Sequence, residues 1–333
     1  MNRQALILGG VVATAALSFV AYNNYKAQLE VGKPGATADL PKLSVGDDVD
    51  KITIKDGKKD DIVLEKKGDK WELTKPLAAL ANQDAVKSVV SNLKELKINE
   101  RVELKIDDKV KKDKHLDADQ VLHVVAFKGA DKKVDLFMGE SLLQIDGKPN
   151  DIYKAKGMSR YLFAKETKDW RDKEIFKFEN DNAIQVAIKN KNGEFSFTKG
   201  DKGWAGTLKG STIERFDESK VKDLLLDYKS LSADDFGDGK PDADTGLDAS
   251  EGTVTISLKD NAGKYVLNVG KVSSGDSHYA KKDTGNVTFV VGKSASSWAL
   301  AAKDKFQKVV ADAGADAASK EPPKTAHHED PNE

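Results

Sequence analysis

Lys66-Lys67-Gly68-Asp69-Lys70-Trp71-Glu72-Leu73 reads as the end of one strand, a tight turn and the start of the next. Gly-Asp between strand-forming segments is hairpin chemistry, because glycine takes the positive φ that a two-residue turn demands. The same text returns as Thr198-Lys199-Gly200-Asp201-Lys202-Gly203-Trp204. Ile52-Thr53-Ile54 returns as Val186-Ala187-Ile188, Leu116-Asp117 as Leu247-Asp248, and Phe137-Met138-Gly139 as Asn268-Val269-Gly270. The offsets are 133, 134, 131 and 131 residues. So small a drift over so long a distance marks a duplicated module.

Each copy carries one amphipathic helix after its hairpin. Asn82 is the expected N-cap of the first, with apolar residues at Val86, Val89, Val90, Leu93 and Leu96. Asp217 is the expected N-cap of the second, followed by Val221, Leu224, Leu225, Tyr228 and Leu231. That spacing gives one apolar stripe for packing on a sheet. Further strands are expected at Val121–Lys128 with Lys133–Met138, and at Thr253–Lys259 with Lys264–Val269. A last pair, Ile152–Ala155 with Tyr161–Ala164, is matched to His278–Lys281 with Val287–Val290. A short helical segment around Trp170 or Trp298 closes each copy, so these two tryptophans are read as repeat-equivalent. Hairpin-connected strands outnumber helices, which gives an α+β class of two tandem antiparallel modules.

The expected organisation is a membrane helix over 1–25, a linker over 26–47, module one over 48–175, module two over 176–310 and a disordered tail over 311–333. Ala5 to Tyr22 carries no charge. Eighteen residues at ~1.5 Å each span about 27 Å, close to the hydrocarbon core of a bilayer. An uncleaved signal anchor is the favoured reading, with the modules in the periplasm or exterior. Cleavage at the small-residue site Ala13-Thr14-Ala15 is the alternative. Lys and Arg number 54 against 55 Asp and Glu, so the overall charge points to no nucleic-acid partner. The chain has no cysteine, which excludes disulfides, thiolate metal sites and a cysteine nucleophile.

The order of elements resembles the DUF4340 domain family of membrane-anchored bacterial proteins. The residues that carry the resemblance are Lys70-Trp71-Glu72-Leu73 with Pro76, the helix that follows, the His115-Leu116-Asp117 and Gly246-Leu247-Asp248 turns, Gly139 and Gly270, and Trp170-Arg171-Asp172-Lys173. The second copy departs from the pattern after Trp204 and in its closing Lys303-Asp304-Lys305. The resemblance implies an envelope location and, in some members, kinship with accessory components of ABC transporters linked to gliding. It implies no catalytic residues, and the residues themselves lead to no expected cofactor.

Motifs that could carry chemistry are sparse. Gly292-Lys293-Ser294 lacks the glycine that a phosphate loop needs at position 287, which is Val287. His123 alternates with Val121, Val125 and Phe127 and reads as a partly buried structural histidine. His278 opens a strand without a histidine partner, and His327-His328 sits in the tail. Asp234 to Asp248 is the densest acidic loop, but its order fails the EF-hand pattern. Trp71 and Trp204, with Asp235 and Asp238, are the expected interaction residues, and core packing is the competing reading for the tryptophans. The function expected from all this is that of a non-enzymatic, membrane-anchored envelope interaction protein. The alternative is a glycan- or peptide-binding accessory of a transport system.

Overall fold

A computed structural model of the chain describes residues 40–102, 107–148 and 151–309. The segment Ala5–Tyr22, most of the linker, the tail from Ala311 and His327-His328 lie outside these residues. Among the described residues no helix is long and apolar enough to cross a membrane. The chain divides into two compact units between Lys173 and Glu174.

Unit one runs β1 (Lys51–Asp56), β2 (Ile62–Lys67), β3 (Lys70–Lys75), β4 (Ala79–Leu80), α1 (Gln83–Glu95), β5 (Lys97–Val102) and α2 (Asp108–Asp113). It continues with β6 (Leu122–Lys128), β7 (Asp131–Met138), β8 (Leu143–Ile145) and β9 (Ile152–Lys156). Unit two runs β10 (Ala183–Asn190), β11 (Gly193–Gly200), β12 (Gly203–Leu208), β13 (Ser211–Thr212), α3 (Glu218–Tyr228), β14 (Asp235–Phe236) and α4 (Asp242–Thr245). Then come β15 (Gly252–Leu258), β16 (Lys264–Ser274), β17 (Ser277–Lys282), β18 (Phe289–Val291) and α5 (Lys293–Ala299).

The described strands form two nine-stranded sheets, ordered β4-β3-β2-β1-β6-β7-β8-β9-β5 and β13-β12-β11-β10-β15-β16-β17-β18-β14. Adding nine to each strand number of the first order gives the second. The duplication inferred from scattered residues is thus a duplication of topology. Strand β15 alternates as one in a half-buried sheet should, whereas β6 and β7 each bury three successive residues. In β15, Val254, Ile256 and Leu258 are buried, while Thr253, Thr255 and Ser257 face the other way and are half-exposed.

The main helices form as their stripes predict. Asn82 Oδ1 accepts from the Ala85 N–H at 3.0 Å, and Asp217 Oδ1 accepts from the Ser219 N–H at 3.0 Å. Each cap satisfies a donor that has no partner inside its helix. Val86, Val89 and Leu93 are buried on α1, as are Val221, Leu224, Leu225 and Tyr228 on α3. The buried Tyr228 hydroxyl donates to the Ala295 carbonyl at 2.9 Å, so the aromatic payload leaves no orphan polar group.

Four expectations are corrected. The second hairpin turns at Asp201-Lys202, because Gly200 pairs with Gly203 across it; Gly200 is the last residue of β11. Tyr161–Ala164 is no strand. Arg160–Leu162 forms a 3-10 turn instead, and Arg160 donates to the Met138 and Gln120 carbonyls at 2.6 Å and to Asp56 at 3.0 Å. Strand β9 therefore pairs with β8 and β5. Finally, Trp170 and Trp298 are not equivalents. The Asn82 N–H donates to the Trp170 carbonyl at 2.9 Å, and the Asp217 N–H donates to the Phe306 carbonyl at 3.0 Å. Ala81 bridges to Arg171 as Phe216 bridges to Gln307. Phe306 thus stands where Trp170 stands, and Trp298 belongs to the preceding helix α5.

The repeated glycines, Gly139 just after β7 and Gly270 at the irregularity within β16, have a steric cause. A Cβ on Gly139 would lie 2.1 Å from the Lys114 carbonyl oxygen, and one on Gly270 would lie 2.2 Å from that of Thr245. Both carbonyls belong to the turns after α2 and α4. There His115 (φ 56°) and Gly246 (φ 69°) hold the left-handed conformation.

Candidate interaction face

Each unit packs its main helix, α1 or α3, and its main core on one face of its sheet, and unit one adds a smaller cluster of Val102, Leu116, Leu142 and Ile152. On the face opposite the main helix, outward positions of four neighbouring strands form a groove in each unit, at equivalent places. The groove of unit one, about 470 Å³, lies over β1, β2, β3 and β6 and is lined by Thr53, Lys55, Asp61, Val63, Thr74 and His123, among others. The groove of unit two, about 490 Å³, lies over β10, β11, β12 and β15 and is lined by Ala187, Lys189, Glu194, Ser196, Thr207 and Thr253, among others.

Strand register makes the correspondence one for one. Thr53 faces Val63 as Ala187 faces Ser196, and Lys55 faces His123 as Lys189 faces Thr253. The Thr74 hydroxyl donates to the Val63 carbonyl at 3.3 Å, and the Thr207 hydroxyl donates to the Ser196 carbonyl at 3.4 Å. Lys55 pairs with Asp61 at 3.9 Å and Lys189 with Glu194 at 3.1 Å. All four of these charged side chains are more than half exposed, so the pairs add little to stability and remain available to a ligand.

The copies differ beside the grooves. In unit one His123 Nε2 lies 2.7 Å from Asp135 Oδ1, and its ring stacks on Phe137 with centroids 4.2 Å apart. Asp135 is buried and also accepts from Lys132 at 2.6 Å; Lys132 reaches Asp146 at 3.2 Å. Those bonds, first to Asp135 and then to Asp146, raise the Lys132 ammonium above its ordinary range. Lys132 in turn holds the Asp146 carboxyl below its own. In unit two the residues at the same register are Thr253, Val266 and Asn268, and the Thr253 hydroxyl donates to Asn268 Oδ1 at 3.0 Å. His123 is half-buried and structurally paired, and Asp135 is the partner that sequence reading missed. A charged residue set among Val134, Leu136, Phe137 and Met138 was its signal.

The expected interaction residues lie elsewhere. Trp71 is half-buried against the core of unit one, and Trp204 is buried in that of unit two. Asp235 sits on the edge strand β14, where its Oδ1 accepts from the Phe236 N–H at 2.9 Å, and Asp238 is exposed in the following turn. The acidic loop is tied down by lysines from the sheet. Lys281 contacts both Asp242 oxygens at 3.0 and 3.1 Å, and Lys271 donates to the Ala243 carbonyl at 2.9 Å. His278 Nδ1 lies 3.3 Å from the Asp276 carbonyl oxygen. Gly292-Lys293-Ser294 opens α5, and Lys293 pairs with Asp276 at 3.0 Å. Among the described residues no three His, Asp or Glu side chains cluster so as to hold a metal ion. The structure thus brings none of the four named residues into either groove. The outward positions shared by both copies, Lys55 with Lys189 and Thr74 with Thr207, were the available signal.

Residues 71–250, just over half of the chain, match the family described as Domain of unknown function (DUF4340). The chain belongs to the DUF4340 family. The matched span starts in β3 of unit one and stops just short of β15 in unit two, so it crosses the boundary between the units. It takes in α1, α3 and both left-handed turns. No curated protein and no solved structure matches the chain.

Proposed function

We infer that this DUF4340 protein is a non-enzymatic interaction protein of the cell envelope. In this reading Ala5–Tyr22 is a single-pass inner-membrane anchor that holds the two units on the extracytoplasmic side. The observation that carries the reading is the pair of equivalent grooves on the sheet faces opposite the main helices. A sheet face with exposed, weakly paired charges and hydroxyls is suited to reversible binding. His123, which lines the groove of unit one, is committed to a structural pair with Asp135 and a stack on Phe137, which supports binding over turnover.

Thr53→Arg and Thr207→Arg test this by filling the grooves from outward-facing positions. The full-length protein should keep its melting temperature and lose recovery of its membrane partner. Protease added outside the inner membrane should cleave both units. An unchanged partner profile, protection of the units, or turnover by the purified protein would each overturn the reading. Association with transporter components, which the family resemblance implies, is read in the same recovery experiment.

A further inference from the structure

We propose that each groove takes a carboxylate-bearing saccharide unit, so that one chain binds acidic glycan at two equivalent places. This rests on the reading of the grooves as binding sites and deepens it. The groove of unit one is lined by Lys51, Lys55 and Lys75 against Asp61 and Glu65. Lys51 pairs with Glu65 at 2.9 Å and Lys55 with Asp61, which leaves the charge of one lysine over. The groove of unit two is lined by Lys189 and Lys209 against Glu194. Lys189 pairs with Glu194, which again leaves one lysine over. The surplus arises in both copies although the residues that make it differ.

The floor chemistry selects the ligand class. Backbone donors and acceptors under the grooves are spent on strand pairing, so a peptide laid across the face would find few partners for its own amides. The groups on offer are the half-exposed hydroxyls of Thr53, Ser196 and Thr255, those of Thr74, Thr207 and Thr253 as acceptors because each already donates within its unit, and lysine donors and carboxylate acceptors. Sugar hydroxyls both donate and accept, so they match this mixture without leaving groups unpaired. The surplus ammonium then complements a carboxylate on the sugar through a charge-assisted bond. Grooves of this volume fit ligands of a few sugar units.

Calorimetric titration of the full-length protein in detergent with trigalacturonate tests the proposal. Two sites per chain are expected, with at least tenfold weaker binding of maltotriose and of triglutamate and a clear loss of affinity in high salt. The pair Lys189→Gln and Lys209→Gln should reduce the stoichiometry from two to one, as should Lys55→Gln with Lys75→Gln. All four together should abolish binding while the melting temperature stays unchanged. Absence of trigalacturonate binding at millimolar concentration, equal binding of maltotriose or triglutamate, or a stoichiometry unaffected by either pair would overturn it. Should Thr53→Arg and Thr207→Arg still abolish partner recovery in that case, the binding role of the grooves stands and the glycan assignment alone falls.

Discussion

The backbone N–H of Trp204 donates to Oε2 of Glu218 at 3.1 Å. In the other copy the Trp71 N–H donates to Gln83 Oε1 at 2.9 Å, and the Gln83 amide reaches back to the Trp71 and Ala81 carbonyls at 2.9 and 2.7 Å. The first residue of each main helix thus clasps the strand that bears the tryptophan. Gln83→Ala removes an acceptor for a half-buried N–H and a donor for two carbonyls. It should destabilise unit one by about 1–2 kcal/mol, read as a lower midpoint in urea unfolding; an unchanged midpoint contradicts the clasp.

The two clasps should differ in pH response. Glu218 is held below its usual carboxyl range, first by the bond from Lys222 and then by that from the Trp204 N–H. A carboxylate whose folded pKa is depressed contributes stability above its unfolded value, near 4.5, and loses that contribution as pH falls through the folded value. The melting temperature should therefore drop on acidification below that range, and Glu218→Gln, which copies the neutral Gln83, should flatten that part of the drop. An identical acid profile in the variant removes Glu218 from the account.

Trp170 is fully buried, and its Nε1–H has no hydrogen-bond partner among the described residues. Phe306 fills the same position in unit two without a polar atom. Trp170→Phe trades some packing against the removal of an unsatisfied donor, so stability should change by less than about 1.5 kcal/mol. Trp170→Ala should cost about 3–5 kcal/mol by opening a cavity. Chemical denaturation of both variants separates the terms, and a large loss in the phenylalanine variant would show that the indole N–H is bonded after all.

His115 holds φ 56° where the second copy has Gly246 at φ 69°. Glycine carries no Cβ penalty there, so His115→Gly should stabilise unit one by about 0.5–1 kcal/mol. The reciprocal Gly246→Ala adds left-handed strain and places Cβ 2.7 Å from Lys271 Cγ, so it should destabilise. Gly270→Ala should be worse, at about 3 kcal/mol or more, because the clash is with the Thr245 carbonyl, which cannot swing aside. Opposite signs for His115→Gly and Gly246→Ala are the diagnostic; matching signs contradict the equivalence of the two turns.

Local signals were legible and non-local ones were not. The hairpins around Gly68 and Asp201 and the helices over 83–95 and 218–228 follow from turn residues, caps and 3.6-residue spacing. Strand β5 was missed because its partner β9 lies some fifty residues on, and charged Glu100 and Arg101 mask its alternation. The short helices α2 and α4 are too brief to show a period. Residue identity misled in one place: Trp170 and Trp298 differ by 128, whereas the helices differ by 135 and the true partners Trp170 and Phe306 by 136. The grooves were illegible because they are made by outward positions of four strands brought together only by the sheet order.

The central claim is that the groove-bearing faces bind and the faces that carry α1 and α3 do not. Photo-crosslinking of the full-length protein in its membrane tests it most directly, with the reactive group at Thr53 or Thr207 in the grooves, or at exposed Leu226 on α3. The account predicts adducts from both groove positions and none from Leu226. Equal crosslinking from all three positions, or adducts from Leu226 alone, would contradict it.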